Sequence, residues 1–443
     1  MHKRVWIAIG AVVAVLLVGA VVALIMLERL GYLPTSPEVT AALPPTSVPL
    51  PSSPTLTPSP SPVEPTATWT AQPTAEPSPT GTSTPAPPAP SAAPTRVVPP
   101  QEDVAVPSGF GVSVYADGLA GPRMMTVGPD GQLYVAERGA GRIVRLPDRD
   151  LDGVADGVEA VATGLTSPSS IDFYQDGSLY VGETTRILRL TLAGDPAIAE
   201  TTEVIIDGLP RGGHNTRTVL FSPDYEWLYV SVGSSCNVCI EGDERRAAIV
   251  RYRPDGADET VYAVGLRNAV GITFRPGTSE LWATNNGRDW LGDDQPPETV
   301  YVVAEGDDAG WPRCHSGRIV DPEYGVEGAC DGVLDPVVEM QAHSAPLGLG
   351  FYSGTQFPEA YRGDLFVAFH GSWNRSAPTG YKVVRVPLED GVPGAVMDFA
   401  TGWLRSDGSQ WGRPVDVVTS ADGSLMISDD GAGRIYRVFY TGP

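Results

Sequence analysis

Gly118-Leu-Ala-Gly-Pro-Arg-Met-Met-Thr-Val-Gly-Pro-Asp-Gly-Gln-Leu-Tyr-Val135 decides the fold of this 443-residue chain. A Gly-Leu turn leads into a β-rich run, a Pro-Asp-Gly turn reverses the chain, and a second β-rich run follows. A third run, Arg142-Ile-Val-Arg-Leu146, completes the unit. The unit recurs, with inner runs near 123–128, 169–174, 216–221, 269–274, 347–352 and 414–419. Second runs repeat as Ser178-Leu-Tyr-Val, Trp227-Leu-Tyr-Val, Glu280-Leu-Trp-Ala, Asp364-Leu-Phe-Val and Ser424-Leu-Met-Ile. Repeats of roughly 40–50 residues with about four short strands each are the mark of propeller blades. The spacing therefore predicts an all-β, six-bladed β-propeller. The last unit stops after its third strand, near Tyr440. Gly111–Leu119 is the expected fourth strand, closing the ring and hiding its sheet edges. The insertion at 305–340 reads as a blade loop.

Three segments are expected: an anchor at 1–30, a linker at 31–105 and the propeller domain at 106–443. Trp6 to Leu27 is apolar and uncharged, long enough to span a bilayer as a transmembrane helix. Lys3 and Arg4 before it place the N-terminus in the cytoplasm and the rest outside. A cleaved signal peptide is the rival, but the apolar run is long for one and no small-x-small site follows it. Residues 34–100 hold 21 of the 43 prolines, with Ser, Thr and Ala between them. Such a segment cannot bury a core and reads as a disordered, extended tether. The domain is thus expected outside the cytoplasm, at the cell surface or in the periplasm.

The net charge of −23 falls almost wholly on the propeller, which argues against nucleic acid as partner. An acidic domain that binds an anion must do so with a local cationic cluster. Cysteines are Cys236, Cys239, Cys314 and Cys330. Their spacing does not suit a zinc site, and outside the cell disulfides are the default. Three connectivities are open; the local pairs 236–239 and 314–330 are expected.

In a propeller, the start of each innermost strand lies at the mouth of a shared shaft. Arg123, His214, Arg267, Asn268, His343 and Arg413 occupy those slots and are expected to converge. Three arginines and two histidines around one shaft suit a polyanionic ligand, and a histidine there can serve as general base. Each has a bland alternative in a salt bridge or a structural hydrogen bond. Asn285-Asn-Gly-Arg-Asp289 should form a loop on the same face, its backbone carbonyls around Gly287 near Asp289, Asp293 and Asp294 able to ligate calcium. Elsewhere, Asp148, Asp150, Asp152, Asp156 and Glu159 stand at positions one, three, five, nine and twelve of a loop with glycine at six. That is calcium-loop spacing, read as a structural site.

Taken with Gly265-Leu-Arg-Asn-Ala-Val-Gly271, Gly310-Trp-Pro312 and His370-Gly-Ser-Trp-Asn-Arg375, these residues resemble the quinoprotein sugar dehydrogenases of the glucose and sorbosone or pyranose type. Those enzymes use pyrroloquinoline quinone (PQQ) on a six-bladed propeller. The resemblance covers about 109–440. It implies that His214 is the catalytic base and that Arg267 and Asn268 contact the quinone. It implies that Gly287 and Arg288 offer backbone carbonyls to the cofactor's calcium, and that Arg413 and His343 are cofactor contacts. The family's cofactor-binding lysine has no counterpart; Asn374 or Arg375 occupies that region, which places the chain nearer the sorbosone/pyranose branch. A sugar substrate and an electron acceptor, a cytochrome or a membrane quinone, are implied as partners. The rival functions are a non-catalytic ligand-binding surface propeller and a calcium-dependent lactonase, the latter disfavoured because arginine and histidine hold the channel slots.

Overall fold

The computed structural model describes residues 104–442. The predicted transmembrane anchor and nearly all of the predicted tether lie outside the described residues. Among the described residues no helix is long and apolar enough to cross a membrane. Six four-stranded antiparallel sheets form the body. The first runs Pro122–Val127, Leu133–Glu137, Arg142–Leu146 and Glu159–Thr163, from inner to outer strand. The sixth sheet is closed by the N-terminal strand Phe110–Ala116, which pairs antiparallel with Arg434–Tyr440. The predicted closure is therefore present. Val104 packs into the core beside Phe399 and Trp403, and Ala105 bridges Thr401.

Second strands read as unbroken apolar runs because sheets pack on both of their faces. Leu133–Glu137, Leu228–Val232, Leu281–Asn285, Leu365–Phe369 and Leu425–Asp429 are buried at every position. Each such Leu or Val contributes about 1.5–3 kcal/mol over an exposed one.

Two details depart from the sequence expectation. The insertion is not wholly loop: Val338–Met340 within it is the outer strand of blade 4, pairing with Glu298–Val303. The inner strands of blades 3 and 4 begin only at Val219 and Ile272. Before them, side-chain hydroxyls take over the bonding. Ser169 Oγ accepts the Arg217 amide at 3.0 Å, Thr284 Oγ1 accepts the Gly271 amide at 2.9 Å, and Thr218 Oγ1 donates to the Val270 carbonyl.

Carboxylates do the same work between blades along the shaft. Asp416 in blade 6 accepts the Met125 amide of blade 1 at 2.8 Å, and Asp172 in blade 2 accepts the Phe221 amide of blade 3 at 2.8 Å. Burial pushes both up to about 7, against the pull of those amides. An unfolded aspartate titrates near 4. A raised folded pKa makes a contribution to stability that is whole below about pH 4 and lost as pH climbs through 7. Asp416→Asn keeps an oxygen for the Met125 amide and removes the charge. Chemical denaturation should find the variant more stable than wild type by roughly 1–4 kcal/mol at about pH 8, and the gap should close near pH 4. A gap that does not change with pH would mean that Asp416 is not carrying a buried charge.

Candidate active site at the mouth of the shaft

His214 precedes the inner strand Val219–Phe221, Arg267 and Asn268 precede Ile272–Phe274, His343 precedes Pro346–Phe351, and Arg413 precedes Pro414–Thr419. Arg123 is the second residue of Pro122–Val127. All lie at the same end of the shaft.

Hydrogen bonding fixes the His214 ring. Its Nδ1 lies 3.1 Å from the Ser234 carbonyl and 3.0 Å from Ser234 Oγ. A carbonyl only accepts, so the proton sits on Nδ1 and the lone pair on Nε2, which has no partner among the described residues. Burial, then the positive Arg267, Arg246 and Arg217, push this imidazole down to about 3. It is neutral at physiological pH. Gly233 brings Asn268 alongside: a Cβ there would lie 2.5 Å from His214 Cβ and 2.6 Å from Asn268 Oδ1.

Arg267 is buried and held on one edge. Its Nε donates to the Asn237 carbonyl at 2.9 Å, and Nη2 donates to Asn237 Oδ1 at 3.0 Å and Asp289 Oδ2 at 2.8 Å. Asp289 Oδ1 in turn accepts Asn374 Nδ2 at 2.8 Å. Arg413 reaches the same segment, donating to the carbonyls of His370 at 3.1 Å and Gly371 at 3.2 Å. His370 Nε2 meets Asp430 at 2.8 Å, and Asp430 pairs with Arg123 at 2.7 Å. A continuous path of contacts thus joins His214, Arg267, Asn374, Arg413 and Arg123. His343 is buried, its Nε2 donating to the Gly292 carbonyl at 2.7 Å. Arg375 is taken up by the Asp293 carbonyl and by Asp294 at 2.9 Å, so here it locks two loops together.

At the mouth, three arginines make no hydrogen bond or ion pair with a carboxylate among the described residues. Every side-chain bond of Arg217, Arg246 and Arg413 ends on a backbone carbonyl. Arg123 keeps a buried Nε without a partner. In a chain of net charge −23 this local excess is the feature to explain.

The Gly287 amide donates to the buried Glu298 carboxylate at 2.7 Å. No hydrogen bond among the described residues ends on the carbonyl of Gly287 or Arg288. Asp289, Asp293 and Asp294 bond to Arg267 and Asn374, Ser376, and Arg375 respectively, so these three carboxylates are taken up by other partners, and Glu298 is the carboxylate that meets Gly287. At the calcium-spaced loop, Asp148, Asp150 and Asp152 do converge. The other two carboxylates are not with them: Asp156 accepts the Arg149 amide at 2.8 Å, and Glu159 pairs with Arg149 at 2.6 Å and Arg145 at 3.1 Å. Both expected disulfides, Cys236–Cys239 and Cys314–Cys330, are formed.

Sequence reasoning assigned no role to Asp430 and met His370 only as part of the His370–Arg375 motif, although the repeat holds their signal. Counting the Leu of each second strand as one, position six is Arg138, Thr184, Gly233, Asn286, His370 and Asp430. It also passed over Trp290 and Trp373, 67% and 66% exposed, whose rings meet edge to face at 5.2 Å. They adjoin Asp289 and Asn374, and Trp290 sits at φ 71°, a conformation large side chains seldom adopt.

A six-bladed ring with a neutral histidine and arginines bonded only to backbone carbonyls at one mouth defines a class of propeller with a cationic opening. More particularly, the profile described as TrAA12-like matches residues 104–302 and 323–441, and the chain belongs to that family. It is 27% identical over 412 residues to the pyrroloquinoline quinone-dependent pyranose dehydrogenase of Coprinopsis cinerea, covering 76% of this chain and 55% of that one. It is 36% identical over 233 residues to an uncharacterized protein of Borreliella burgdorferi, covering 51% of this chain and 61% of that protein. The chain thus spans little more than half the length of these curated relatives. Among solved structures, the holo PQQ domain of the Coprinopsis cinerea enzyme superposes with TM-score 0.67 at 25% identity, over 77% of this chain and 98% of that one. A Trichoderma reesei family AA12 enzyme also gives 0.67, at 21% identity over 76% and 97% of the two chains, a likeness that bears on the fold alone.

Proposed function

We propose that the propeller is an extracytoplasmic, PQQ- and calcium-dependent dehydrogenase that oxidises a sugar, an aldose, pyranose or sorbosone-like substrate, at a hydroxyl or hydrated aldehyde. The observation that carries this is the set of mouth arginines bonded only to backbone carbonyls. PQQ bears three carboxylates, so the donor set fits it: planar guanidinium forks match carboxylates and stay charged. Arg413 and Arg123 have capacity to spare. The unbonded carbonyls of Gly287 and Arg288 fit a hard cation such as calcium. Bound there, PQQ would supply a two-electron acceptor and calcium Lewis acidity.

The chain's own groups do the rest. His214 Nε2 takes the proton of the sugar hydroxyl, its ring aimed by Ser234. Arg267, held by Asn237 and Asp289, places positive charge where negative charge grows. Trp290 and Trp373 offer an apolar rim against which the C–H face of a sugar can pack. Two disulfides suit an oxidising compartment, in keeping with a membrane anchor at the N-terminus. Electrons would leave to a cytochrome or a membrane quinone.

Absorbance titration of the chain with PQQ, with and without calcium, tests the reading. Arg413→Ala frees no carboxylate, and an unfolding curve matching wild type would show that loss of its bonds to the His370 and Gly371 carbonyls leaves the fold intact. The substitution should weaken PQQ binding about tenfold or more. No calcium-dependent binding by the wild type, or equal binding by Arg413→Ala, would count against the proposal.

A further inference from the structure

Cys236-Asn-Val-Cys239 closes a small ring beside the mouth, its disulfide joining residues three apart. Asn237, inside that ring, makes five hydrogen bonds, four of them to Arg267 and Asp289. Its Oδ1 accepts the Asp289 amide at 2.8 Å as well as Arg267 Nη2 at 3.0 Å. Its Nδ2 donates to the Asp289 carbonyl at 3.0 Å. Its own carbonyl accepts Arg267 Nε at 2.9 Å and Trp311 Nε1 at 3.2 Å. The side-chain amide therefore clasps both backbone groups of Asp289, and the two oxygens of one residue receive the Nε–Nη2 edge of Arg267. The opposite corner, Nη1, has only a long contact of 3.3 Å to the Asn286 carbonyl.

We propose that Asn237, held by the Cys236–Cys239 ring, is a positioning residue that fixes the orientation of the Arg267 guanidinium. This rests on the functional reading only in assigning Arg267 to the cofactor; the clasp itself does not depend on it. The physical reason is that a guanidinium left to a single carboxylate can pivot about that contact, whereas two parallel bonds on one edge set its plane. The backbone oxygen of Asn237 can serve as one of the two acceptors only if the loop is fixed. The ring fixes it from one side and the Asp289 clasp from the other. Ser234 lies at the start of the same loop, its Oγ donating to the Cys236 carbonyl at 2.6 Å while accepting from His214. One loop thus sets both the base and the cation.

The test uses the full chain, the Asn237→Ala and Asn237→Asp variants, and the double variant Cys236→Ser with Cys239→Ser. The first readout needs no cofactor: hydrogen exchange at the Arg267 Nε–H, assigned in the nitrogen–proton spectrum by its disappearance in Arg267→Lys. Exchange should quicken about tenfold or more in Asn237→Ala and in the double variant, since each releases one side of the loop. Asn237→Asp keeps both acceptor oxygens but loses the Nδ2 donor to the Asp289 carbonyl, so its protection should fall between that of wild type and that of Asn237→Ala. The second readout is PQQ affinity, expected to weaken about tenfold in the same two variants and to recover only in part in Asn237→Asp. Unchanged protection in the double variant overturns the inference, even should Asn237→Ala fail to fold. If the wild type itself binds no PQQ, the functional reading falls, while the exchange result still decides this one.

Discussion

Replacing His214 with alanine should lower the rate of sugar-dependent dye reduction roughly 10²–10⁴-fold while PQQ affinity stays within about threefold of wild type. The size of the loss follows from the lack of a substitute. Asp289 is committed to Arg267 and Asn374, Glu298 to the amides of Gly287 and Ala345, and His370 to Asp430. None has a free lone pair backed by a fixed ring, as His214 does through Ser234. Burial and three nearby guanidiniums keep its imidazole uncharged. In the cofactor-free chain its ring proton resonance should therefore show no inflection between about pH 5 and 8, where an ordinary histidine titrates. Conservative replacement by Gln, which can mimic the Nδ1 bond but offers no comparable base, should be nearly as inactive. A variant that still reduces dye at a rate within about twofold of wild type would leave a ligand-binding propeller as the better description.

The ring itself was legible in the sequence because a second strand packed on both faces has no choice but a continuous apolar run, and six such runs stand in register. The outer strand Val338–Met340 was not, since three residues at the end of a long insertion carry no pattern. The late starts of the inner strands at Val219 and Ile272 were hidden for another reason: Ser169 and Thr284 replace ladder bonds from elsewhere in the chain. The slots of the mouth were legible because they follow from the repeat. Which arginines keep a carboxylate was not. Arg267 meets Asp289 and Arg413 meets none, yet both precede inner strands and look alike in one dimension. The calcium-spaced loop shows the same limit. Spacing counts carboxylates but is blind to competition, and Arg149, within the loop itself, draws Asp156 and Glu159 away from the first three.

Asp321→Ala should destabilise the propeller by roughly 2–4 kcal/mol, because it removes the buried partner of Arg288 and leaves that cation only the exposed Glu323 carboxylate. Asp321 is 1% exposed and lies between Arg288 and His315, both almost wholly buried. One carboxylate oxygen receives Arg288 Nη1 and His315 Nε2, the latter at 2.9 Å; the other accepts the amides of Glu323 and Tyr324 at 2.8 Å each. Burial alone would raise its pKa, but the bonds from Arg288, His315 and those amides outweigh it and hold the carboxyl at about 2. Its contribution is therefore present above about pH 4 and fades as pH falls toward 2. Arg288 already has a buried Nε without a partner, so it cannot absorb the loss by turning. Deleting the cation as well should recover much of the deficit: Arg288→Met combined with Asp321→Ala leaves no buried cation unpaired, only the exposed Glu323 carboxylate. Guanidinium unfolding of the two single variants and the double variant closes the cycle, and a coupling below about 0.5 kcal/mol would show that the pair does not matter to stability. The consequence reaches the mouth, since Arg288 carries one of the two carbonyls proposed to hold calcium and its side chain is pinned by the disulfide-stapled insertion. Loosening that pin at Asp321 should raise the calcium concentration needed for PQQ binding, even where the fold survives.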